Sequence, residues 1–471
     1  MKNFKIQATL FNRPGIVCGI WAVIQQLIVA GSTYLIIESI RQATGDHYDK
    51  AVQYIGLFVL SLMVVYIPNT ISLIYLQKWR LESFSQFVAV FVRFNKGKTT
   101  LSHGRTKTKY ESWLTNESYQ VYDESTDLLF QVFSTLLNSV LNIAVISLAI
   151  DKRIVLWYLI AGVILLLSNR LFKSHISKVS LFVQESRKNL FNTLLSSWEN
   201  IFVGNSVNLS NWQEKFANDL DLSQKSAVKY DLVRSLVSSI TVSLALLIIA
   251  FGNGVYLFEN SKSVTGLAAL IATLPRQVQI IQNIFAFFNI YLSWEGVRSR
   301  LVKLEEILFL SAHQKFGESE KYISFDKMSI KGSFPNSNML ESVDTLESMQ
   351  KMIDSYSTGR LTLRGENGAG KSTLLSLLAE ASGSRSYFLP SRFVDLAFQN
   401  PNMVSSSDGN RVLDVFKEIE SIEKITLLLL DEWDANLDEK NIIAIDSIID
   451  RLASRMLVIE SRHRSSISEA L

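Results

Sequence analysis

Apolar runs dominate the first 292 residues. Those at 14–37, 52–76, 128–150, 154–168, 233–258 and 267–292 read as six membrane-spanning helices. A helix rises about 1.5 Å per residue, so about 20 apolar residues cover a hydrocarbon core of about 30 Å. The first run follows a basic start (Lys2, Lys5, Arg13) and is too long for the apolar region of a secretory leader, so a retained span is expected. Pro68-Asn69 predicts a kink in the second run, Asp151-Lys152-Arg153 a tight turn between the third and fourth, and Pro275 lies inside the sixth. Segments 79–93 and 174–212 keep helical periodicity without proline, which carries the spanning helices well beyond the bilayer. A turn is expected between the two later arms, at 199–205.

From residue 305 the pattern changes. A polar connector at 305–321 leads into a segment with the composition of a soluble domain. Short alternating or apolar runs predict strands within 322–334 and at 361–363, 386–389, 393–398, 425–430 and 455–459, with 336–352 helical or loop and a helix running to Glu380. The run at 425–430 is continuously apolar, as in a parallel strand covered on both faces. Strands alternating with helices predict a parallel three-layer α/β core. The expected organisation is a membrane domain at 1–304, a linker at 305–321 and a second domain at 322–471.

Composition sharpens the membrane reading. Hydrophobic residues make up 48% of the chain and charged ones 19%, below the soluble norm of about 25%. The net charge of +3 selects no particular partner, and the single cysteine, Cys18, rules out an internal disulfide framework. Five scattered histidines (His47, His103, His175, His313, His463) show no metal-ligand spacing. Basic residues concentrate in two long loops: Lys78, Arg80, Arg93, Lys96, Lys98, Arg105, Lys107 and Lys109 in the first, and a set from Arg170 to Lys229 in the second. The remaining loops carry few. This asymmetry places both termini and both long loops in the cytoplasm.

The chemistry concentrates after residue 360. Leu361–Leu363 precede Gly365-Glu366-Asn367-Gly368-Ala369-Gly370-Lys371-Ser372-Thr373, a glycine-rich turn between a strand and a helix. Small residues let backbone N–H groups turn inward on a phosphate, the helix start adds positive potential, Lys371 neutralises the β/γ-phosphates, and the Ser372 hydroxyl can ligate Mg²⁺. Asp431, at the end of the 425–430 run, can hold Mg²⁺, and Glu432 beside it can orient or deprotonate an attacking water. Within the spans, Arg276, Gln279 and Asn283 share one helical face, a candidate substrate path. Thr135, Asn138 and Asn142 form a second polar stripe, and Gln25-Gln26 lies mid-span in the first run.

Taken together, these residues resemble an ATP-binding cassette exporter of the half-transporter kind, and the likeness covers nearly the whole chain. It implies a membrane α-helical domain of six transmembrane helices with long cytoplasmic extensions, fused to an α/β P-loop nucleotide-binding domain. The resemblance implies ATP and Mg²⁺ as cofactors, Gly365–Thr373 as Walker A, 425–431 as Walker B and Glu432 as the catalytic glutamate, with Lys371 beside it. It further implies Gln399 as the Q-loop glutamine, on both nucleotide and Mg²⁺, and 434–438 as the D-loop. Two half-transporters would sandwich two ATP molecules, driving export of a peptide or amphipathic compound across the inner membrane.

The departures from that family are specific. Ser407-Asp408-Gly409-Asn410-Arg411, placed before the Walker B strand, is a degenerate signature, with Ser407 and Gly409 as its recognisable residues. Only seven residues separate it from Gln399, where the family inserts a helical subdomain. Trp433 stands where the family has proline, and Arg462 holds the switch-histidine position by spacing, with His463 one residue on. Phe334 is the best aromatic for stacking on a base. These losses touch hydrolysis more than binding. The alternative expectation is therefore a nucleotide-binding, weakly hydrolysing membrane subunit, the degenerate half of a heterodimer or an immunity or regulatory protein.

Overall fold

The computed structural model describes residues 5–101, 110, 113–260, 263–310, 318–334, 344–393, 396–398, 408–435 and 437–462. Two compact units emerge, one from Met1–Phe87 with Ser118–Lys303, the other from Val88–Glu117 with Leu304–Leu471.

The first unit is helical. In chain order come α1 (Arg13–Thr44), α2 (Tyr48–Val64), α3 (Tyr66–Asn95), α4 (Ser118–Ala149), α5 (Ile154–Leu195), α6 (Ser197–Val203), α7 (Ser206–Glu259) and α8 (Val264–Leu308). Among the described residues six helical stretches are long and apolar enough to cross a membrane: Arg13–Thr44, Tyr48–Asn95, Ser118–Ala149, Ile154–Phe172, Ser206–Glu259 and Val264–Phe287. They match the six apolar runs, and their length and composition suggest a membrane protein.

Local chemistry explains the boundaries. The Asn12 side chain caps α1 by accepting from the Gly15 N–H at 3.1 Å, and Pro14 occupies the first turn, where a missing N–H is tolerated. The second span breaks at Val65 between α2 and α3. Pro68 would clash with the carbonyl four residues back, at Val64, which is where α2 ends. Helices α5 and α7 run side by side past the apolar segment, tied by Ser186–Ser226 (2.7 Å) and by Thr193 donating to Asp219 (2.6 Å). At their tip the expected turn is the short helix α6, ended by Gly204 at φ +69°.

The second unit holds a sheet flanked by helices. Its elements are β1 (Met328–Ser333), α9 (Leu346–Ser355), β2 (Gly359–Gly365), α10 (Lys371–Ser382), β3 (Ser386–Leu389), α11 (Asp408–Glu420), β4 (Leu427–Asp431), α12 (Glu439–Ala453) and β5 (Leu457–Ser461). The strand order is β1-β2-β5-β4-β3. Central strands β4 and β5 are buried along their whole length. Alternate residues feed two cores: Leu427, Leu429, Leu457 and Ile459 pack with Met349, Leu374 and Leu378, while Leu428, Leu430 and Val458 pack with Phe416, Ile445 and Ile449. Period-two alternation thus covers both faces of one sheet.

Three expectations are corrected. The sheet is mixed, because β1 pairs antiparallel with β2, with Met328 opposite Gly365. No strand forms among the described residues of 393–398. Pro390 follows β3 directly and cannot donate to a ladder, and Phe393 and Phe398 instead meet edge to face against the α11–α12 core. The polar connector does not begin at 305: α8 continues to Leu308, because Leu301, Leu304 and Leu308 continue its apolar stripe and are buried. The Leu308 carbonyl accepts from the Asn95 side chain at 3.0 Å, and Phe309 packs on Phe94.

Candidate functional site

Strand β2 delivers Gly365 to the edge of the sheet, and α10 leaves from Lys371. The intervening turn needs its glycines. Gly368 and Gly370 sit at φ +85° and +93°, and a side chain on Gly370 would run into the Tyr322 carbonyl. The turn is further held by the Ser324 N–H donating to the Ala369 carbonyl at 3.0 Å. Gly370→Ala is therefore expected to displace the loop and to lower the melting temperature by several degrees. Gly368→Ala, with nothing within 4 Å of the added carbon, should cost only the backbone strain of about 1–2 kcal/mol. Comparing the two melting curves separates crowding from strain.

Strand β4 carries Asp431 to the same carboxyl-terminal edge of the parallel strands, the edge at which such sheets bind ligands. The Asp431 Oδ1 accepts from Ser372 Oγ and from Ser461 Oγ, each at 2.9 Å, while its Oδ2 is buried without a hydrogen-bond partner. A buried carboxylate oxygen left bare beside a serine hydroxyl supplies two oxygen donors of the kind a hard cation takes. Lys371, buried at the start of α10, donates to the carbonyls of Gly365 (2.8 Å) and Glu366 (3.3 Å), so its ammonium folds over the loop. Glu432 adopts φ +46°, uncommon for a residue with a side chain, and its N–H donates to the Ser461 carbonyl at 3.1 Å. That turn lifts the Glu432 side chain off the strand line, half-buried beside Asp431.

The structure thus brings together Gly365, Glu366, Asn367, Gly368, Ala369, Gly370, Lys371, Ser372 and Thr373 with Asp431 and Glu432. Gln399, Ser407 and His463 lie outside the described residues, as does Asn436 of the expected D-loop. Gly409 falls in the first turn of α11, which leads to β4. Asp438 caps α12, accepting from the Asn441 N–H at 2.8 Å. Phe334 is 7% exposed and stacked on Tyr356 at 4.0 Å, so its faces are engaged in the core and it is removed as a base-stacking residue. Tyr322, overlooked in the sequence because no spacing marks it, stands 74% exposed where its backbone passes Gly370.

Arg462 is also engaged elsewhere. It pairs with Asp446 of α12 and with Glu460 of β5 (3.2 Å), and its guanidinium lies over the Trp433 ring at 4.9 Å. Trp433 in turn donates its indole N–H to Glu460 at 2.8 Å. Trp433, Glu460 and Arg462 thus belong to one buried cluster.

A second set of contacts was invisible in the sequence. Lys98 pairs with Glu380 at 2.6 Å, Thr100 donates to the same carboxylate at 2.9 Å, and Thr99 donates to the Ser376 carbonyl at 2.5 Å. The segment following α3 is thereby fastened to α10, the helix that carries Lys371.

Among the spans, Asn283 donates to Asn138 (2.7 Å), Asn138 to Gln26 (2.6 Å), and Thr33 to Asn142 (2.8 Å). Arg276 donates to Gln279 (2.7 Å) and to Ser32 (3.3 Å). Asn283, Asn138, Gln26, Asn142 and Thr33 therefore form one interhelical network, Arg276 with Gln279 and Ser32 forms a separate group, and among the described residues Gln25 and the Thr135 side chain contribute a bond to neither. No protein-family model matches this sequence, and comparison with characterised proteins finds none that matches.

Proposed function

We propose that this protein is an ATP-driven exporter subunit of the ATP-binding cassette kind, working as a dimer of half-transporters in the cell membrane. Its second unit is then an α/β P-loop nucleotide-binding domain without most of its helical subdomain. The convergence of Lys371, Ser372 and Asp431 on one sheet edge, with Asp431 Oδ2 bare, carries this reading. Lys371 and the 365–370 amides hold the phosphates of ATP. Ser372 and Asp431 would hold Mg²⁺, which when bound offsets the charge of the β- and γ-phosphate oxygens. Glu432 orients the attacking water and accepts its proton. The Lys98–Glu380 ion pair ties the segment after the second span to α10, so nucleotide-dependent movement of that helix would pass through this contact and along the chain to α3.

One observation favours a second reading, a nucleotide-binding half that hydrolyses weakly. Arg462 is committed to Asp446, Glu460 and Trp433, so the residue at the switch position is held away from a γ-phosphate role. The discriminating measurement is ATP turnover by the purified full chain in lipid. Under the first reading the protein hydrolyses ATP unaided, and Glu432→Gln lowers turnover by about 10²- to 10⁴-fold while leaving binding intact. Binding without turnover, restored only by adding a complementary cassette subunit, selects the second.

A further inference from the structure

Arg276 lies about 18 Å from the Val264 end of α8 at 1.5 Å per residue, inside a segment long and apolar enough to span the membrane. An arginine stays protonated in any protein setting, so it cannot shed its charge there. Charged side chains at such depth normally pair with an opposite charge or serve a pathway. Arg276 has no carboxylate within ion-pair range among the described residues; its partners are the neutral Gln279 Oε1 and Ser32 Oγ. Glu38, the buried acid further along α1, is already taken by Arg41 (2.9 Å) and Gln42 (2.8 Å).

Arg276 keeps donors to spare, while Ser32 accepts from it and donates its own hydroxyl to the Val29 carbonyl. A guanidinium has five N–H groups, of which the two bonds above use two. Because Arg276 only donates, the Gln279 carbonyl must face it, which leaves the Gln279 amide N–H₂ as a further donor on the same face. That face lies at the flank of the bundle, with Gln279 exposed and Arg276 half-buried: Arg276 reaches Ser32 on α1, and Asn283, two turns along, reaches Asn138 on α4. Gln26, Asn138 and Asn142 bond to one another in a neighbouring neutral network that offers the guanidinium no countercharge.

We infer that Arg276, with Gln279 and Ser32, forms an intramembrane site for the oxyanion of an amphipathic substrate, a carboxylate or a phosphate ester. This deepens the export reading and rests on it for the word substrate, while the site itself does not. A planar guanidinium offers two parallel N–H groups to such an anion, a geometry that lysine's single ammonium lacks.

The test uses the full chain in phosphatidylcholine nanodiscs without nucleotide, titrated with the fluorescent polyene fatty acid cis-parinaric acid and with its methyl ester. Acid is expected to bind at least tenfold tighter than ester. Arg276→Gln should abolish that preference while leaving ester affinity unchanged, which also shows that the bundle is folded. Gln279→Leu should reduce the preference, and Arg276→Lys should retain part of it. Equal binding of acid and ester, or a preference that survives Arg276→Gln, overturns the site. Displacement of the acid by phosphatidylglycerol in the disc assigns the anion to a lipid headgroup and overturns its assignment to cargo. Lys371→Ala should leave probe binding untouched, so a failure of nucleotide binding sinks the export reading separately.

Discussion

Replacing Lys371 by alanine is expected to weaken ATP binding about 10- to 100-fold. A charge-assisted hydrogen bond to an anion is worth about 1.5–3 kcal/mol, and each 1.4 kcal/mol is tenfold in affinity. The ammonium is already positioned: it is buried at the first residue of α10 and donates to the Gly365 and Glu366 carbonyls. A phosphate oxyanion is a far better acceptor than either carbonyl, so the lysine can exchange partners with little loss. Its removal frees only two loop carbonyls, and the melting temperature without nucleotide should fall by no more than a few degrees. Titration with a fluorescent ATP analogue gives the affinity, and thermal melting in detergent gives the control. An unchanged affinity with an intact melting curve removes the nucleotide reading altogether.

The parts of this molecule that were legible in the sequence are those fixed by neighbours along the chain. Six spans follow from apolar runs, and the break at Val65 follows from Pro68. The turn from Gly365 to Lys371 follows from a strand, glycines and a helix in succession. The opposite holds for contacts closed over long separations. That Ser461 shares Asp431 with Ser372 depends on β4 and β5 being neighbours in the sheet, which no local pattern states. The antiparallel placing of β1 is likewise a matter of topology. Residues 393–398 have the aromatic content of a strand, but Pro390 and the packing of both half-buried phenylalanines against the core decide otherwise. The pairing of Lys98 with Glu380 joins positions 282 residues apart. The polar stripes were visible at helical spacing; that Asn283 meets Asn138 and Gln26, and that Arg276 finds no acid among the described residues, required the packed bundle.

Glu460 should be the position in the second unit where one atom-for-atom change does most harm. Its carboxylate, 1% exposed, is bound by Arg360 through two hydrogen bonds of 3.0 Å, by Thr362 at 2.9 Å and by the Trp433 indole at 2.8 Å, with Arg462 at 3.2 Å. Glu460→Gln keeps the volume and deletes the charge, leaving Arg360 and Arg462 to share Asp446, with Asp450 at the exposed edge. Breaking a buried ion pair on one side costs about 3–5 kcal/mol. With the remaining acids compensating in part, a loss of about 3 kcal/mol is expected, or on the order of 10 °C in the melting of this unit. The same cluster gives a signed pH dependence. Burial pushes the Glu460 carboxyl up, but the charge and hydrogen bonds of Arg360, the charge of Arg462 and the Trp433 indole N–H outweigh it and hold the folded group below the usual carboxylate range. A group whose folded value is lowered stabilises the protein above its unfolded value, about 4.3 for glutamate, and loses that contribution as pH falls through the folded one. Wild type and Glu460→Gln should therefore differ most at neutral pH and converge at pH values below about 4, with the wild-type curve the steeper of the two. Melting curves of both proteins in detergent across that range, followed by Trp433-sensitive fluorescence, give the test. A gap that stays constant down to acid pH would mean that the carboxylate's charge contributes nothing to the cluster that holds Arg462 in place.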